Sequence, residues 1–217
     1  VVRPGAKTSQ AELARDLDVG RTPLREAIRT LQSEGLIVTE PNRRVVIASL
    51  SIEDAEELYL VRIAVEVAAA RVTLPQLTET DFAELEGYMA QMTHLPNGDP
   101  PSLALFRGPH RAFHERFVGG DALRTTRLIT ELFDHSERYR RVYGAINAVE
   151  YDKRAAEHRA MLDAAIARDA DALADAVAAH YTATALLVTS TLDPDYPLDR
   201  LRVTLAAVAP GAMYVFD

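Results

Sequence analysis

Four of the six histidines in this 217-residue chain have a spacing that suits a metal site. His110 and His114 are four positions apart, so on a helix both imidazoles can point to one place. His158 and His180 follow on two later segments, and antiparallel helices can bring all four side chains into one bundle core. An all-nitrogen ligand set favours zinc, nickel, copper, cobalt or iron over magnesium or calcium.

Spacing alone leaves other interpretations open, because most histidine pairs of this kind are surface or core pairs. His94 borders a loop and His135 lies in a charged stretch, so we interpret both as structural or exposed. A metalloenzyme is a further alternative. However, the segment from His110 to His114 lacks the glutamate that serves as general base in a zincin helix. The sequence also lacks the Glu-x-x-His pairs of a di-iron bundle.

Helices must position these histidines, and the sequence beyond residue 50 has helical periodicity almost throughout. The expected helices cover about 51–73, 78–92, 102–118, 121–144, 148–168 and 170–190. We therefore expect an all-helical antiparallel bundle over residues 50–190. Residues 191–217 end in an apolar, β-prone stretch that we set apart as a C-terminal tail.

Residues 1–49 have a different pattern. Ser9 and Glu12 form a capping box that starts a short helix. A second helix is expected over residues 22–34, with Thr22 as its N-cap and a proline in the first helical position.

Gly35 is expected to end the second helix, and a small hairpin follows it. Two β-prone runs at 36–39 and 45–47 are joined by a turn over 40–44. Two short helices followed by a hairpin are typical of a winged helix-turn-helix. The expected fold class is thus mainly α, with a winged helix-turn-helix before the helical bundle.

Arginines line one side of the second expected helix. Arg21, Arg25 and Arg29 are spaced four apart, opposite much of the apolar stripe. Such a helix can enter the major groove of DNA, where arginine binds guanine with two hydrogen bonds. Arg43 and Arg44 in the hairpin turn could reach phosphates or the minor groove. An ordinary solvated basic face is the alternative, but the neighbouring turn and hairpin favour DNA binding.

The charge distribution, the cysteine count and the absence of long apolar runs limit the functions that the chain can have. The net charge is −8, yet residues 1–50 carry +2 and the remainder −10, which suggests two domains with different partners. The chain has no cysteine, which excludes disulfides, thiolate metal sites and cysteine nucleophiles. We find no apolar run of about 18 residues and no signal peptide, so we expect a cytoplasmic protein without a membrane span.

Together the motifs resemble a known protein family. Residues 9–48 closely resemble the winged helix-turn-helix of GntR-family bacterial transcription regulators, most specifically in Arg21-Thr22-Pro23-Leu24-Arg25-Glu26-Ala27. Residues 51–190 resemble the all-helical ligand-sensing FCD domain of the FadR branch of that family. The second resemblance is carried by residues 57–66, Phe113-His114, Glu157-His158-Arg159 and His180.

The resemblance implies a cytoplasmic homodimer that represses or activates transcription from a palindromic operator. A small acid, often a carboxylate, would enter the helical domain and change its affinity for DNA. By position, Arg21 and Arg25 would contact bases or phosphates, with Thr22 and Arg29 as weaker contacts. The family's first helix is absent before residue 4, and either a truncated or a disordered start would explain its absence.

The resemblance also implies a metal, most simply zinc, with nickel or another transition metal as alternatives. His114, His158 and His180 match three of the family's ligands. Its fourth ligand is usually aspartate, and here His110 stands in that position, which keeps a ligand but removes a negative charge. Arg62 resembles an inward-facing arginine that pairs with the carboxylate of the effector; a structural ion pair with Glu66 is the alternative.

The leading hypothesis is a DNA-binding transcription regulator controlled by a small carboxylate at a histidine-bound metal. A histidine-metal enzyme with an appended helix-turn-helix is one alternative. A regulator whose metal is purely structural is another. Arg138 and Arg141 could add a second anchor for the effector, but their register in the helix is open.

Overall fold

The computed structural model describes residues 3–40, 44–93, 100–119, 123–143 and 148–216. The chain divides into two compact units, Val1–Ser51 and Ile52–Asp217. Each unit is described by itself.

The N-terminal unit contains two helices and a three-stranded antiparallel sheet. Its elements are β1 (Lys7–Ser9), α1 (Gln10–Asp16), α2 (Arg21–Ser33), β2 (Ile37–Glu40) and β3 (Arg44–Ile47). β3 lies between β1 and β2, and Ile37 is paired with Ile47. This is the winged helix-turn-helix expected from the sequence. The edge strand β1 was not expected, because three residues are too few to show an alternating pattern.

One face of α2 holds the core of this unit. Leu24 and Ile28 are buried against Ile37 and Val45 of the sheet. The expected stop at Gly35 is confirmed, since this glycine has φ of +69° directly after the helix.

The predicted N-terminal cap is correct for α1 and wrong for α2. The capping box of α1 is confirmed: the amide of Glu12 donates to Ser9 Oγ at 3.1 Å, and the Ser9 amide donates to the Glu12 carboxylate at 2.8 Å. The predicted N-cap of α2 at Thr22 is wrong, because the helix begins at Arg21 and Gly20 is its N-cap. Pro23 still fits, since the first amides of a helix have no partner within it.

Seven α-helices within the described residues form the second unit. They are α3 (Ile52–Thr73), α4 (Glu79–Thr93), α5 (Pro100–Val118), α6 (Leu123–Tyr143), α7 (Ala148–Ile166), α8 (Ala170–Leu192) and α9 (Asp199–Val208). α3 and α8 form the centre of the unit and pack along each other. Both have buried residues on several sides, as expected for helices surrounded by others.

α8 is more apolar than we expected from the sequence. It contains an 18-residue window with mean hydropathy of 1.2, so it is long and apolar enough to cross a membrane. However, 67% of that window is buried inside the unit. We therefore interpret α8 as the core helix of the bundle.

The C-terminal segment belongs to the helical unit, and the β-prone interpretation of its end was wrong. It forms α9 and a 3-10 segment, Pro210–Phe216. The buried carboxylate of Glu56 in α3 holds this segment. It accepts from the backbone amides of Arg200 at 2.9 Å and Leu201 at 3.1 Å, and from the Tyr196 hydroxyl at 2.9 Å. Glu56 thereby satisfies the first amides of α9, as a capping residue would.

Candidate functional site

The four predicted histidines meet in the core of the helical unit. α5 supplies His110 and His114, α7 supplies His158, and α8 supplies His180, and all four are buried. The Nε2 atom of His114 lies 3.1 Å from Nε2 of His110 and 3.2 Å from Nε2 of His158. One nitrogen from each of the four rings lies within 4.8 Å of the others. We call these four residues the histidine cluster.

The cluster fits a transition-metal ion by its chemistry. Burial, the largest cause, holds the pKa of each imidazole well below its usual value of 6.5, so all four rings are neutral at physiological pH. A neutral imidazole offers a lone pair to a metal, and a protonated one cannot. Tetrahedral zinc places its nitrogen ligands about 3.3 Å apart. The His114–His110 and His114–His158 separations of 3.1 and 3.2 Å are close to that value.

Outer hydrogen bonds orient two rings of the cluster as metal ligands usually are. Nδ1 of His180 lies 2.8 Å from Oε2 of Glu157, so it carries the proton and leaves Nε2 free. Nδ1 of His114 lies 3.1 Å from the hydroxyl of Tyr181, which in turn donates to Glu66. No local sequence pattern could have identified the Tyr181–Glu66 pair, because the two residues are more than a hundred positions apart.

Arg62 lies next to this network. It forms the ion pair with Glu66 that was the alternative to a role in effector binding. Its Nε donates to Glu66 at 2.7 Å and its Nη1 donates to Ser136 at 2.8 Å, both within the core. Its Nη2 and the hydroxyl of Tyr59 are both buried, and neither has a hydrogen-bond partner in the described part of the chain. Arg62 therefore makes the ion pair and still has a donor to spare.

Among the described residues, α6 contacts the cluster through the ring of Phe133, 5.8 Å from that of His110, and through the guanidinium of Arg140. Its Nη1 is 3.4 Å from Nδ1 of His110 and 2.5 Å from the buried carboxylate of Glu137. The sequence left open which arginine of this stretch faces the histidines. It is Arg140, which lies between Arg138 and Arg141. The buried positions Phe133 and Glu137 share this face of α6 at helical spacing, and that pattern could have identified Arg140.

A small cavity borders His158. Its volume is about 10 Å³, which is room for about one water molecule. It is lined by Met89, Met92, Thr93, Phe106, Arg154, Ala155 and His158.

In the N-terminal unit, the residues predicted to bind DNA lie on the solvent side of α2. Arg21, Thr22, Arg25 and Arg29 are all exposed, whereas Leu24 and Ile28 face the core. Arg44 is exposed at the start of β3. Arg43 and His94 lie outside the described residues. His135 is half-buried and does not belong to the histidine cluster.

Both units match known protein families. Residues 57–183 match the FCD domain, and residues 1–47 match the bacterial regulatory proteins of the gntR family. The chain is 24% identical to the HTH-type transcriptional regulator YdhC of Bacillus subtilis, over 82% of this chain and 80% of YdhC. It is 31% identical to the Nta operon transcriptional regulator of Aminobacter aminovorans, over 59% of this chain and 62% of that protein.

Solved structures have the same fold. McbR/YncC of Escherichia coli superposes with a TM-score of 0.73 at 21% identity, covering 88% of this chain and 91% of that one. A GntR-family regulator from Pseudomonas syringae superposes with a TM-score of 0.56 at 26% identity, covering 88% of this chain and 78% of that one. The FCD match alone spans more than half of the sequence. The chain therefore belongs to the GntR family of bacterial transcription regulators and joins a helix-turn-helix DNA-binding domain to an FCD ligand-binding domain.

Proposed function

We propose that this regulator changes its affinity for operator DNA when a small carboxylate binds beside a metal ion held by the histidine cluster. The observation that carries the proposal is the convergence of four buried, neutral imidazoles from three helices. We expect zinc, with nickel or another divalent transition metal as alternatives. When bound, the ion would supply positive charge and a coordination position for a carboxylate oxygen.

Arg62 and Tyr59 support the proposed site for the carboxylate. The unpartnered Nη2 of Arg62 can donate to an oxygen of the effector, and a guanidinium group matches the shape of a carboxylate. The hydroxyl of Tyr59, one turn earlier in α3, can donate as well. Burial and, after it, the positive charges of Arg154, Arg140 and Arg62 lower the pKa of His180, and the same charges favour an anionic ligand.

For operator binding, we propose that α2 enters the major groove. The exposed side chains of Arg21, Thr22, Arg25 and Arg29 would contact bases and phosphates. Arg43 and Arg44 of the wing would contact phosphates or the minor groove.

The assembled regulator would be a cytoplasmic homodimer of the FadR branch. Its two α2 helices would read the halves of a palindromic operator. The chain would act as a repressor or an activator, without enzymatic activity.

α3 is the element that can pass the signal on. It carries Tyr59, Arg62 and Glu66, and it begins at Ile52, the residue after the N-terminal unit ends. An effector that accepts from the unpartnered Nη2 of Arg62 adds a contact to α3 and so acts directly on that helix. By linkage, the effector changes DNA affinity by the same factor by which DNA changes effector affinity.

The test measures DNA binding of the purified chain to its own upstream DNA by fluorescence anisotropy, with zinc and a panel of small carboxylates. We expect sequence-selective binding that weakens steeply with salt, because arginines displace counterions from phosphates. At least one carboxylate should change the affinity.

His114→Ala should abolish both metal content and the carboxylate response, whereas His135→Ala, outside the cluster, should keep both. Absence of selective DNA binding under all conditions would refute the whole proposal. Metal binding without any carboxylate response would favour the purely structural metal.

A further inference from the structure

We propose that Arg140 holds His110 in the wrong tautomer for metal binding, so that His110 is the weakest ligand of the cluster. This inference rests on the proposed metal site. It predicts that removing Arg140 tightens metal binding. Loss of an ordinary outer hydrogen-bond partner weakens metal binding instead, by about 10–100-fold.

The argument starts from what a guanidinium group can do. Nη1 of Arg140 lies 3.4 Å from Nδ1 of His110. Arginine has five N–H donors and no acceptor, so Nδ1 of His110 must accept. A neutral imidazole has a single N–H, and the proton of His110 is therefore on Nε2.

The neighbouring ring accommodates that proton. Nε2 of His110 lies 3.1 Å from Nε2 of His114, which must then act as the acceptor. His114 is free to accept there because its own proton is on Nδ1, facing the Tyr181 hydroxyl that donates to Glu66. The N–H of His110 thus occupies the lone pair that His114 would offer to a metal.

His180 has the opposite arrangement and serves as the internal comparison. Glu157 is an acceptor, so it keeps the proton of His180 on Nδ1 and leaves Nε2 with a lone pair. For His110 to ligate through Nε2, its proton must move to Nδ1. There the N–H would face the N–H groups of Arg140, so the hydrogen bond is lost and a repulsion replaces it.

Glu137 holds Arg140 in place, and Glu137 keeps another partner when Arg140 is substituted. Its Nη1 lies 2.5 Å from Glu137, which holds the guanidinium against α5. Glu137 also accepts from Arg107 at 3.0 Å, so it retains a partner when Arg140 is changed. In Arg140→Gln, the amide oxygen can accept from Nδ1 of His110 and so support the tautomer that binds metal.

Metal affinity gives the first test, using zinc alone and a competing chromophoric chelator on the full chain stripped of metal. We expect Arg140→Gln to bind zinc about tenfold more tightly. Glu157→Ala, which removes the acceptor for Nδ1 of His180, should bind it at least about tenfold more weakly. Arg140→Lys, which keeps a charged donor without an acceptor, should stay near the original affinity. Arg141→Gln, which removes an exposed charge one position along, should do the same.

With an aspartate in place of His110, the effect of Arg140→Gln on zinc affinity should have the opposite sign. In His110→Asp, the new carboxylate can accept from Arg140, which then acts as a supporting partner. Adding Arg140→Gln to that variant should weaken zinc binding. Equal or weaker zinc binding by Arg140→Gln in the original background would overturn the inference and leave the metal site standing. Absence of zinc binding by the unaltered chain would refute the metal site itself.

A spectroscopic measurement decides the tautomer directly, without relying on any variant that must fold. Two-bond ¹H–¹⁵N correlation spectra of the metal-free chain distinguish the two neutral forms of each histidine. We expect His110 with its proton on Nε2, and His114 and His180 with theirs on Nδ1. Finding the proton of His110 on Nδ1 in the unaltered protein would refute the proposal.

Discussion

Mild acid should unfold the helical unit of the metal-free protein, because four neutral histidines are buried together. Burial keeps the pKa of each member of the histidine cluster well below 6.5 in the folded state. In the unfolded chain these imidazoles have ordinary pKa values and take up protons below about pH 6.5. The unfolded state then binds more protons than the folded state, so the free energy of unfolding falls as the pH falls.

The size of the effect follows from the number of groups. Each histidine that stays neutral when folded costs about 1.4 kcal/mol of stability between about pH 7.5 and about pH 5.5. Four such groups cost about 5 kcal/mol, which is comparable to the whole stability of many domains. Glu157 acts in the opposite direction: burial raises the pKa of its carboxyl above the ordinary value of 4.5, so this group takes up a proton more readily in the folded state.

Urea unfolding followed by circular dichroism at 222 nm, with a chelator present, measures this loss at each pH. His110→Asn removes one buried titrating group, so about a quarter of the pH-dependent loss should disappear. His135→Asn, outside the cluster, should leave the loss unchanged. An unfolding free energy that stays constant over this range would refute the argument, since it would require the cluster to protonate in the folded state as readily as in water.

Three further predictions concern stability, each measured by urea or thermal unfolding. Glu56→Ala should lower the unfolding free energy by about 2–3 kcal/mol, because two amides of α9 lose a buried acceptor, whereas exposed Glu57→Ala should change it by less than about 1 kcal/mol. Gly211→Ala should cost about 1–3 kcal/mol, because the new Cβ would lie 1.9 Å from Oδ2 of Asp175; adding Asp175→Ala should restore part of the loss. Ser9→Ala should remove about 1 kcal/mol from the N-terminal unit, detectable as faster limited proteolysis there; an unchanged rate would mean that the capping box contributes nothing.

Local patterns were sufficient for most of the fold and for the four histidines of the cluster. The capping box at Ser9 and the stop at Gly35 depend on neighbours within a few positions, so the sequence displays them directly. The cluster could be inferred because His110 and His114 are one turn apart on a helix. The N-cap of α2 was misplaced by two residues because both Gly20 and Thr22 are acceptable N-caps, and their sequence context does not rank them.

The remaining features depend on residues far apart in the chain. The C-terminal segment is helical because its first amides meet Glu56, about 145 positions earlier, and no local pattern contains that information. Arg140 contacts a histidine 30 positions away, and Tyr181 contacts Glu66 at a separation of 115. A sequence window can place each of these side chains on a helix face, but it cannot identify the group on the opposite helix.

The composition of the histidine cluster has a consequence for survival under oxidative stress. Peroxide inactivates many zinc sites by converting their thiolates to sulfenic acid and then to higher oxides. The chain has no cysteine, so an ion held here would have no sulfur ligand to lose. Such a regulator would keep its metal through an oxidant burst that strips thiolate-bound zinc.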